Sequence, residues 1–243
     1  MLELKNIYKK FNLEAGLFSK YGKFVYAVNG VNFKINDNHS FGLVGESGCG
    51  KTTIAKILAQ IYKKDSGDIF YKTKENEVID YSNLKRNDEK KIRSKIKYIF
   101  QDPAKSLNPR MSVLEILTDG YKYSPFYKNA KIAKEEAKEI IALVGLSQED
   151  INRRPTDFSG GQRQRISIAR ALIMNPELMI CDEIVSALDV SIQSQIINLL
   201  IDLKNEKKLS FLFIAHDLTV VSYFCDEIAV MRSEERRVGK ECT

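Results

Sequence analysis

One glycine-rich segment near the N-terminus constrains the fold of this chain more than any other feature. A short apolar run, Ser40 to Gly45, leads into it, and apolar residues at helical spacing follow from Lys51 to about Tyr62. Because a strand, a glycine loop and a helix N-terminus together can surround phosphate groups, the segment predicts an α/β fold with a phosphate-binding loop. The residues concerned are Gly45, Glu46, Ser47, Gly48, Cys49, Gly50, Lys51, Thr52 and Thr53.

Each residue type in such a loop has its own task. The glycines permit backbone conformations that aim successive N–H groups at a ligand. Lys51 would reach the β- and γ-phosphates of a nucleotide, and the Thr52 hydroxyl would ligate Mg²⁺. A glycine turn that binds nothing is the structural alternative, and the loop alone does not separate a GTPase, a small-molecule kinase and a transport ATPase.

Two adjacent acids narrow this choice. The apolar run Leu178 to Cys181 ends in Asp182 and Glu183, so both carboxylates are expected at the carboxyl edge of the sheet, where α/β proteins bind ligands. Asp182 is placed to hold Mg²⁺ through water, and Glu183 to polarise an attacking water molecule. A solvated turn is the alternative, but the phosphate loop upstream favours catalysis.

The remaining pattern predicts a P-loop core with a mainly parallel sheet and two additions. Leu2 to Tyr8 and Val25 to Ile35 alternate apolar and polar residues, which indicates an N-terminal antiparallel β subdomain. Residues 102–174 are mainly helical in pattern, which indicates an inserted α-helical subdomain. Strands alternating with helices elsewhere favour the parallel sheet. We expect helices near Ser112–Asp119, Lys131–Val144, Gly161–Met174 and Ser191–Lys208, and strands at Lys95–Phe100, Leu178–Cys181, Phe211–Ala215 and Ile228–Met231.

Four further motifs follow the phosphate loop in order. They are Gln101 after the run Ile96–Phe100, the segment Ser159, Gly160, Gly161 and Gln162, the segment Ser186–Asp189, and His216 after the run Phe211–Ala215. With the loop and the two acids, this series resembles the nucleotide-binding subunit of an ATP-binding cassette (ABC) transporter over nearly all of residues 1–231. The resemblance implies an ATPase that works as a dimer, with ATP and Mg²⁺ as its cofactors.

The resemblance also implies a role for each motif. Gln101 would contact Mg²⁺ and the attacking water, and His216 would hydrogen-bond the γ-phosphate and orient Glu183. The signature segment, residues 159–162, would cap the γ-phosphate of a nucleotide bound by the opposite subunit, and Asp189 would report across that interface.

The adenine contact is the least determined of these roles. The family stacks an aromatic residue on the base from the segment before the second strand, which makes Tyr21 the best placed candidate. Phe24 and Tyr26 are close behind, and ordinary packing is the alternative for all three.

The residues around the motifs resemble dipeptide and oligopeptide importers, and the second ATPase of such systems more than the first. This implies a heterodimer with a paralogous ATPase subunit, membrane permease subunits as partners and an indirect link to a solute-binding protein. Ile184 departs from the pattern because the family usually carries proline there. We expect this change to affect the rate of hydrolysis and not the family assignment. The segments that carry this resemblance are Phe100–Pro103, Ser106–Met111, Phe158–Leu172 and Ile180–Leu200.

Charge and hydropathy set the expected location and partners. The formal net charge is +6, but lysines alternate with acids along the chain, so we interpret the charge as a solvated surface and expect no nucleic-acid partner. No apolar run approaches membrane-spanning length, and the first residues lack the order of a signal peptide. These observations predict a peripheral subunit on the cytoplasmic face of the cell membrane.

The C-terminal residues need a separate interpretation. Residues 1–231 are predicted to form a single ABC ATPase domain. Residues 232–243 do not continue the expected strand and resemble the translation of a sequencing-library adapter, so we interpret them as a non-native tail and expect the natural chain to continue past Met231. A charged, solvated tail is the alternative. Rival functions are uptake of nickel or another small solute, a soluble ABC ATPase acting on nucleic acid or ribosomes, and a noncatalytic truncated fragment.

Overall fold

Two β-sheets of different type organise the chain in the computed structural model, which describes residues 2–12, 24–81 and 84–232. In chain order the elements are β1 (Leu2–Asn12), β2 (Phe24–Ile35), β3 (Ser40–Gly45), α1 (Lys51–Leu58), β4 (Ser66–Lys72), β5 (Val78–Asp80), α2 (Arg86–Lys95), β6 (Ile96–Ile99), α3 (Pro103–Ser106), α4 (Val113–Tyr121), α5 (Ala130–Leu143), α6 (Gly160–Leu172), β7 (Leu178–Asp182), α7 (Val190–Lys207), β8 (Ser210–Ile214), α8 (Leu218–Phe224) and β9 (Glu227–Met231). Short 3₁₀ helices occupy Gln148–Asn152 and Pro155–Asp157.

The first sheet is antiparallel, with strand order β2-β1-β4-β5. Its inner face is apolar because Leu2, Leu4 and Ile7 of β1 are buried. Strand β1 runs four residues beyond the predicted end at Tyr8. The register of its pairing with β2 shifts after Leu4 and again after Ile7, and these irregularities break the alternation from which its length was predicted.

The second sheet is parallel, with strand order β6-β7-β8-β3-β9. Every residue of β7 and β8 is buried, as expected for central parallel strands covered on both faces. All of these strands run in the same direction, so their carboxyl ends meet at one edge. That edge receives the glycine loop after β3 and the two acids at the end of β7.

Helices fill the stretch between β6 and β7 and pack on one another. Helix α4 begins with a capping box, in which Ser112 and Glu115 bond each other's backbone N–H groups. Asn129 caps the N-terminus of helix α5, where its side chain accepts a hydrogen bond from the Ile132 N–H. Val113, Ile141 and Ile166 are fully buried in one core cluster with residues of the parallel sheet. The predicted fold class, a P-loop core with an antiparallel N-terminal sheet and an inserted helical part, is confirmed.

Helix α1 is shorter than predicted. It ends at Leu58 and not near Tyr62, because Gln60 adopts a left-handed conformation with φ 58°. The N–H groups of Ile61 and Tyr62 both bond back to the Lys56 carbonyl and close the helix end. Within the part of the chain that the structure describes, no helix is long and apolar enough to cross a membrane.

Candidate nucleotide site

The glycine loop between β3 and α1 passes very close to two other strands. A Cβ at Gly50, where φ is 102°, would lie 2.0 Å from the Ala27 carbonyl oxygen of β2. A Cβ at Gly45, where φ is 150°, would lie 2.1 Å from the Met231 carbonyl oxygen of β9. Since both contacts are with backbone that cannot move aside cheaply, only glycine fits these positions, and the path of the loop is fixed from both sides.

The ammonium group of Lys51 lies over the loop. Its Nζ donates hydrogen bonds to the carbonyl oxygens of Gly45, at 2.7 Å, and Glu46, at 2.8 Å. Lys51 is 5% exposed, so these bonds compensate the burial of its charge. The loop therefore carries a held positive charge beside the N-terminus of α1, which is the electrostatic arrangement that attracts phosphate.

Asp182, the last residue of β7, faces the first turn of α1. Its Oδ1 accepts a hydrogen bond from the Thr52 hydroxyl at 3.2 Å, and its Oδ2 accepts one from the Tyr98 hydroxyl. Burial, followed by this bond to Asp182, raises the pKa of Tyr98, which keeps its hydroxyl a donor.

Thr52 and Asp182 offer a hydroxyl and a carboxylate oxygen, which are the ligand types that Mg²⁺ prefers. Among the described residues, no three His, Cys, Asp or Glu side chains form a group that could hold a metal ion alone. A Mg²⁺ ion held here would thus take further ligands from water and phosphate, as this ion usually does.

Glu183 follows Asp182 at a sharp turn of the chain. Its φ is 51°, in the left-handed region. Its N–H donates to the Ile214 carbonyl at 2.9 Å, and its own carbonyl accepts from the N–H and hydroxyl of Ser186. The side chain Oε2 accepts a 2.8 Å hydrogen bond from Gln101 Nε2. Ile184, the departure from the family pattern, is 2% exposed and packs in the core.

His216 lies at the same edge but is not joined to the acids. It follows β8 by two residues, and Ile214 at the end of β8 pairs with Asp182. It is exposed, and among the described residues it forms no hydrogen bond with Glu183 or Gln101. The structure therefore brings Thr52, Gln101 and the two acids together and leaves His216 adjacent to them.

The signature segment forms the start of α6 and bonds within itself. Ser159 accepts a hydrogen bond from the Gln162 N–H at 3.4 Å, and its own N–H donates to Gln162 Oε1 at 2.9 Å. Gly160 is exposed and Gly161 is buried against Ile192 of α7. Asp189 is exposed at the N-cap of α7. None of the hydrogen bonds of Ser159 or Gln162 in the described part of the chain goes to the phosphate loop.

The aromatic candidates for an adenine contact are only partly described. Tyr21 lies outside the described residues. Phe24 and Tyr26 lie on β2 and are 43% and 64% exposed, and the Lys10 ammonium lies 4.7 Å from the Phe24 ring centroid. Sequence reasoning missed Tyr98, although its place two residues before the end of the run Ile96–Phe100 put it beside the acids.

A cleft of about 800 Å³ is lined by Asp182 and by residues of the helices that follow β6. Its basic residues outnumber its acidic ones, and burial lowers the pKa of Lys97 to about 8 and also lowers the pKa of Arg170. Thr52 and residues of α4 and α6 also line the cleft. The lining includes the basic residues Lys56, Lys97, Lys105 and Arg170 and the apolar residues Phe100, Met111, Ile116, Leu117 and Met174.

The glycine loop on a parallel sheet, the hydroxyl and carboxylate pair, and the acid held by a glutamine define a P-loop nucleoside triphosphatase. Comparison with known proteins identifies the family. The sequence pattern described as "ABC transporter" matches residues 28–186. The chain belongs to the ABC transporter family, and it is an ATPase that binds ATP.

Curated relatives cover most of the chain. It is 44% identical over 232 residues to the oligopeptide transport ATP-binding protein AppF of Bacillus subtilis (strain 168), an alignment that spans 95% of this chain and 69% of the relative. It is 49% identical over 209 residues to the oligopeptide transport ATP-binding protein OppF of Streptococcus pyogenes serotype M1, spanning 86% of this chain and 66% of the relative. The predicted resemblance to peptide importer ATPases is confirmed.

Solved structures agree in fold. The dimeric structure of a post-hydrolysis state of the ATP-binding cassette MJ0796, bound to ADP and Pi, matches with a TM-score of 0.79 and 29% identity, over 97% of each chain. The cbiO1 structure from Clostridium perfringens, part of the ABC transporter complex cbiONQ, matches with a TM-score of 0.77 and 26% identity, over 96% of this chain and 86% of that one.

Proposed function

We propose that this chain is the ATP-hydrolysing subunit of a membrane importer for dipeptides and oligopeptides. The hydrogen bond from Gln101 to Glu183, beside the pair formed by Thr52 and Asp182, carries the assignment of hydrolysis. The peptide substrate is supported by the names of the relatives, which are oligopeptide transport proteins. Nickel and other small solutes are the competing cargo.

The phosphate loop and Lys51 bind the phosphates of ATP in this proposal. Backbone N–H groups of residues 45–53 and the start of α1 face the anion, and Lys51 exchanges its bonds to the loop carbonyls for bonds to phosphate oxygens. Thr52, Asp182 and Gln101 hold Mg²⁺. When bound, this ion neutralises charge on the β- and γ-phosphates. Tyr21 is proposed as the adenine contact.

Glu183 acts as the general base. Glu183 directly follows Asp182 at the end of β7, and its backbone is in the left-handed region. Gln101 holds one carboxylate oxygen at 2.8 Å, which leaves the other to accept a proton from water. His216, two residues beyond β8, binds the γ-phosphate and orients Glu183 once nucleotide is present.

The signature segment serves a second subunit. Ser159 to Gln162 are at the exposed start of α6, where a hydroxyl, N–H groups and the helix end can meet an anion. These groups do not bond this chain's phosphate loop. A nucleotide between two chains would therefore contact the phosphate loop of one chain and the signature segment of the other, with Asp189 beside it. We propose that the partner is a paralogous ATPase, that both dock on membrane permease subunits at the cytoplasmic face, and that a solute-binding protein delivers the peptide. No nucleic acid takes part.

The same proposal covers the division of the chain. Residues 1–231 form one domain, and a helical subdomain at about residues 102–174 is inserted in it. The helices α3 to α6 between β6 and β7 support this division.

Glu183→Gln tests the assignment of the base. In a complex with the partner ATPase and the permease subunits, ATP turnover should fall by about 10²- to 10⁴-fold, the usual contribution of a general base, while ATP binding is retained. Glu135→Gln is the matched control because Glu135 is exposed on α5 and its ion pair is with Lys138, one turn away on the same helix. Turnover of Glu183→Gln equal to that of the control would refute the assignment.

The substrate needs its own measurement. Proteoliposomes containing the complex and its solute-binding protein should accumulate a labelled tripeptide in an ATP-dependent manner, and Glu183→Gln should abolish that uptake. Accumulation of nickel without peptide would assign the other cargo and leave the ATPase assignment intact.

A further inference from the structure

We propose that Tyr98 is a positioning residue of the metal site, which fixes the orientation of the Asp182 carboxylate through a hydrogen bond. The inference rests on the proposed function, since it requires Asp182 to serve Mg²⁺. Nothing in the motif pattern assigns a role to Tyr98, which belongs to none of the predicted site segments.

The position of Tyr98 follows from strand register. Strands β6 and β7 are parallel neighbours, and Tyr98 pairs with Ile180. Side chains two residues apart on a strand share a face, so Asp182 lies on the same face as Ile180 and one step further along. The long phenol side chain of Tyr98 spans that step, and its hydroxyl donates to Asp182 Oδ2.

Each carboxylate oxygen of Asp182 thus has one defined partner. Oδ1 accepts from Thr52, the other candidate metal ligand, and Oδ2 accepts from Tyr98. Asp182 is 3% exposed, so loss of either hydroxyl leaves a buried carboxylate oxygen without the hydrogen bond that the structure gives it. With Oδ2 tied to the phenol, rotation of the carboxylate is restricted and Oδ1 stays beside Thr52.

The ring of Tyr98 is itself held in place. It meets the Phe100 ring edge-on, with centroids 4.7 Å apart and planes at 63°. The residue after Phe100 is Gln101, which bonds Glu183. Residues 98–101, in β6 and just after it, therefore bond both acids at the end of β7: Tyr98 bonds Asp182, and Gln101 bonds Glu183.

Tyr98→Phe tests the inference because it removes the hydroxyl and keeps the ring. The measurement is the Mg²⁺ concentration that half-saturates the gain in affinity for a fluorescent ATP analogue, with the analogue's affinity in EDTA as a second readout. Loss of an outer-shell partner typically costs 10- to 100-fold in metal affinity, so we expect about a 10-fold rise in the Mg²⁺ requirement. Affinity in EDTA should stay at the parent value, which a general loss of structure would not allow.

Tyr81→Phe is the matched control. Tyr81 is also partly buried, and its hydroxyl donates to the Leu58 carbonyl at 3.1 Å, away from the acids. Its Mg²⁺ requirement should equal that of the parent. A Tyr98→Phe protein with an unchanged or a lower Mg²⁺ requirement would overturn the inference, the latter because the phenol would then compete with the ion.

Asp182→Asn separates this inference from the proposed function. If Asp182→Asn loses the Mg²⁺ effect while Tyr98→Phe retains it, the role of Tyr98 is wrong and the metal site stands. If Asp182→Asn also behaves like the parent, the metal site is misassigned and both proposals fail.

Discussion

Alanine at Gly161 tests why the signature helix needs a glycine at its second position. A Cβ there would lie 2.5 Å from Ile192 Cγ2 of α7, whereas ordinary contacts begin at 3.4 Å. Overpacking of this kind costs about 1–3 kcal/mol, and replacing a helical glycine returns roughly 0.5–1 kcal/mol. We therefore expect Gly161→Ala to lower the free energy of unfolding by about 1–2 kcal/mol.

Gly160→Ala is the internal control because it changes the neighbouring residue in the same helix turn. A Cβ at Gly160 would meet only Leu188 Cδ2, at 3.7 Å, an ordinary contact. This variant should gain about 0.5 kcal/mol, so the two alanines should differ by roughly 2 kcal/mol. At about 2–4 °C per kcal/mol for a chain of this size, their melting temperatures should be separated by some 4–8 °C.

Calorimetry or urea unfolding of the two variants measures this difference, and a second-site change identifies its cause. Ile192→Ala in the Gly161→Ala background should be less damaging than Ile192→Ala alone, since the cavity accommodates the new methyl group. Equal stability of Gly160→Ala and Gly161→Ala, or strict additivity with Ile192→Ala, would refute the packing argument.

Three further predictions concern a cap and two charges. Ser159→Ala should cost about 1 kcal/mol in unfolding free energy, because it removes the α6 cap seen in the structure. Burial lowers the pKa of Lys97 to about 8, so the unfolded state binds more protons between that value and the usual lysine pKa, and stability rises with pH through this window. Lys97→Met should flatten that rise in urea unfolding measured from pH 7 to 10. For Asp226, desolvation raises the pKa but bonds from Lys204 and Ser40 outweigh it, so the pKa is lowered; its stabilisation is present above the usual carboxyl pKa and lost as pH falls through the lowered one. Asp226→Asn should therefore weaken the acid dependence of unfolding, and an unchanged acid limb would contradict the assignment.

The sequence predicted those parts of the fold whose signals are local. Lys51 and the glycines before it, followed by an apolar helix, place the phosphate loop, because backbone geometry and helix ends depend on adjacent residues. The strands β3, β7 and β8 are mostly apolar, and they begin and end within one residue of the predicted bounds.

Elements with mixed patterns were missed. Strand β4 joins the antiparallel sheet by pairing with β1, which is distant in sequence, and the three-residue strand β5 pairs with β4. Helix α2 is strongly polar, and α3 and α8 span four and seven residues, so periodicity has too little length or contrast to reveal them.

Side-chain partners in the site were equally hard to predict. The bond from Gln101 to Glu183 joins two loops, and the bond from Tyr98 to Asp182 depends on the register of two parallel strands. Register between parallel strands is set by tertiary packing, and no single motif contains it. The proposed role of Ser159 is a contact with a nucleotide bound by a second subunit, so the structure of a single chain does not contain that contact.

The left-handed backbone conformation at Glu183 means that stability and ATP turnover favour different residues at this position of the ATPase. A non-glycine residue in that conformation costs about 1–2 kcal/mol, a cost that Glu183→Gly would remove together with the carboxylate. Directed evolution that rewards heat resistance alone would thus favour an inert cassette. Any screen for a hardier transporter motor should therefore select for ATP turnover in the same round.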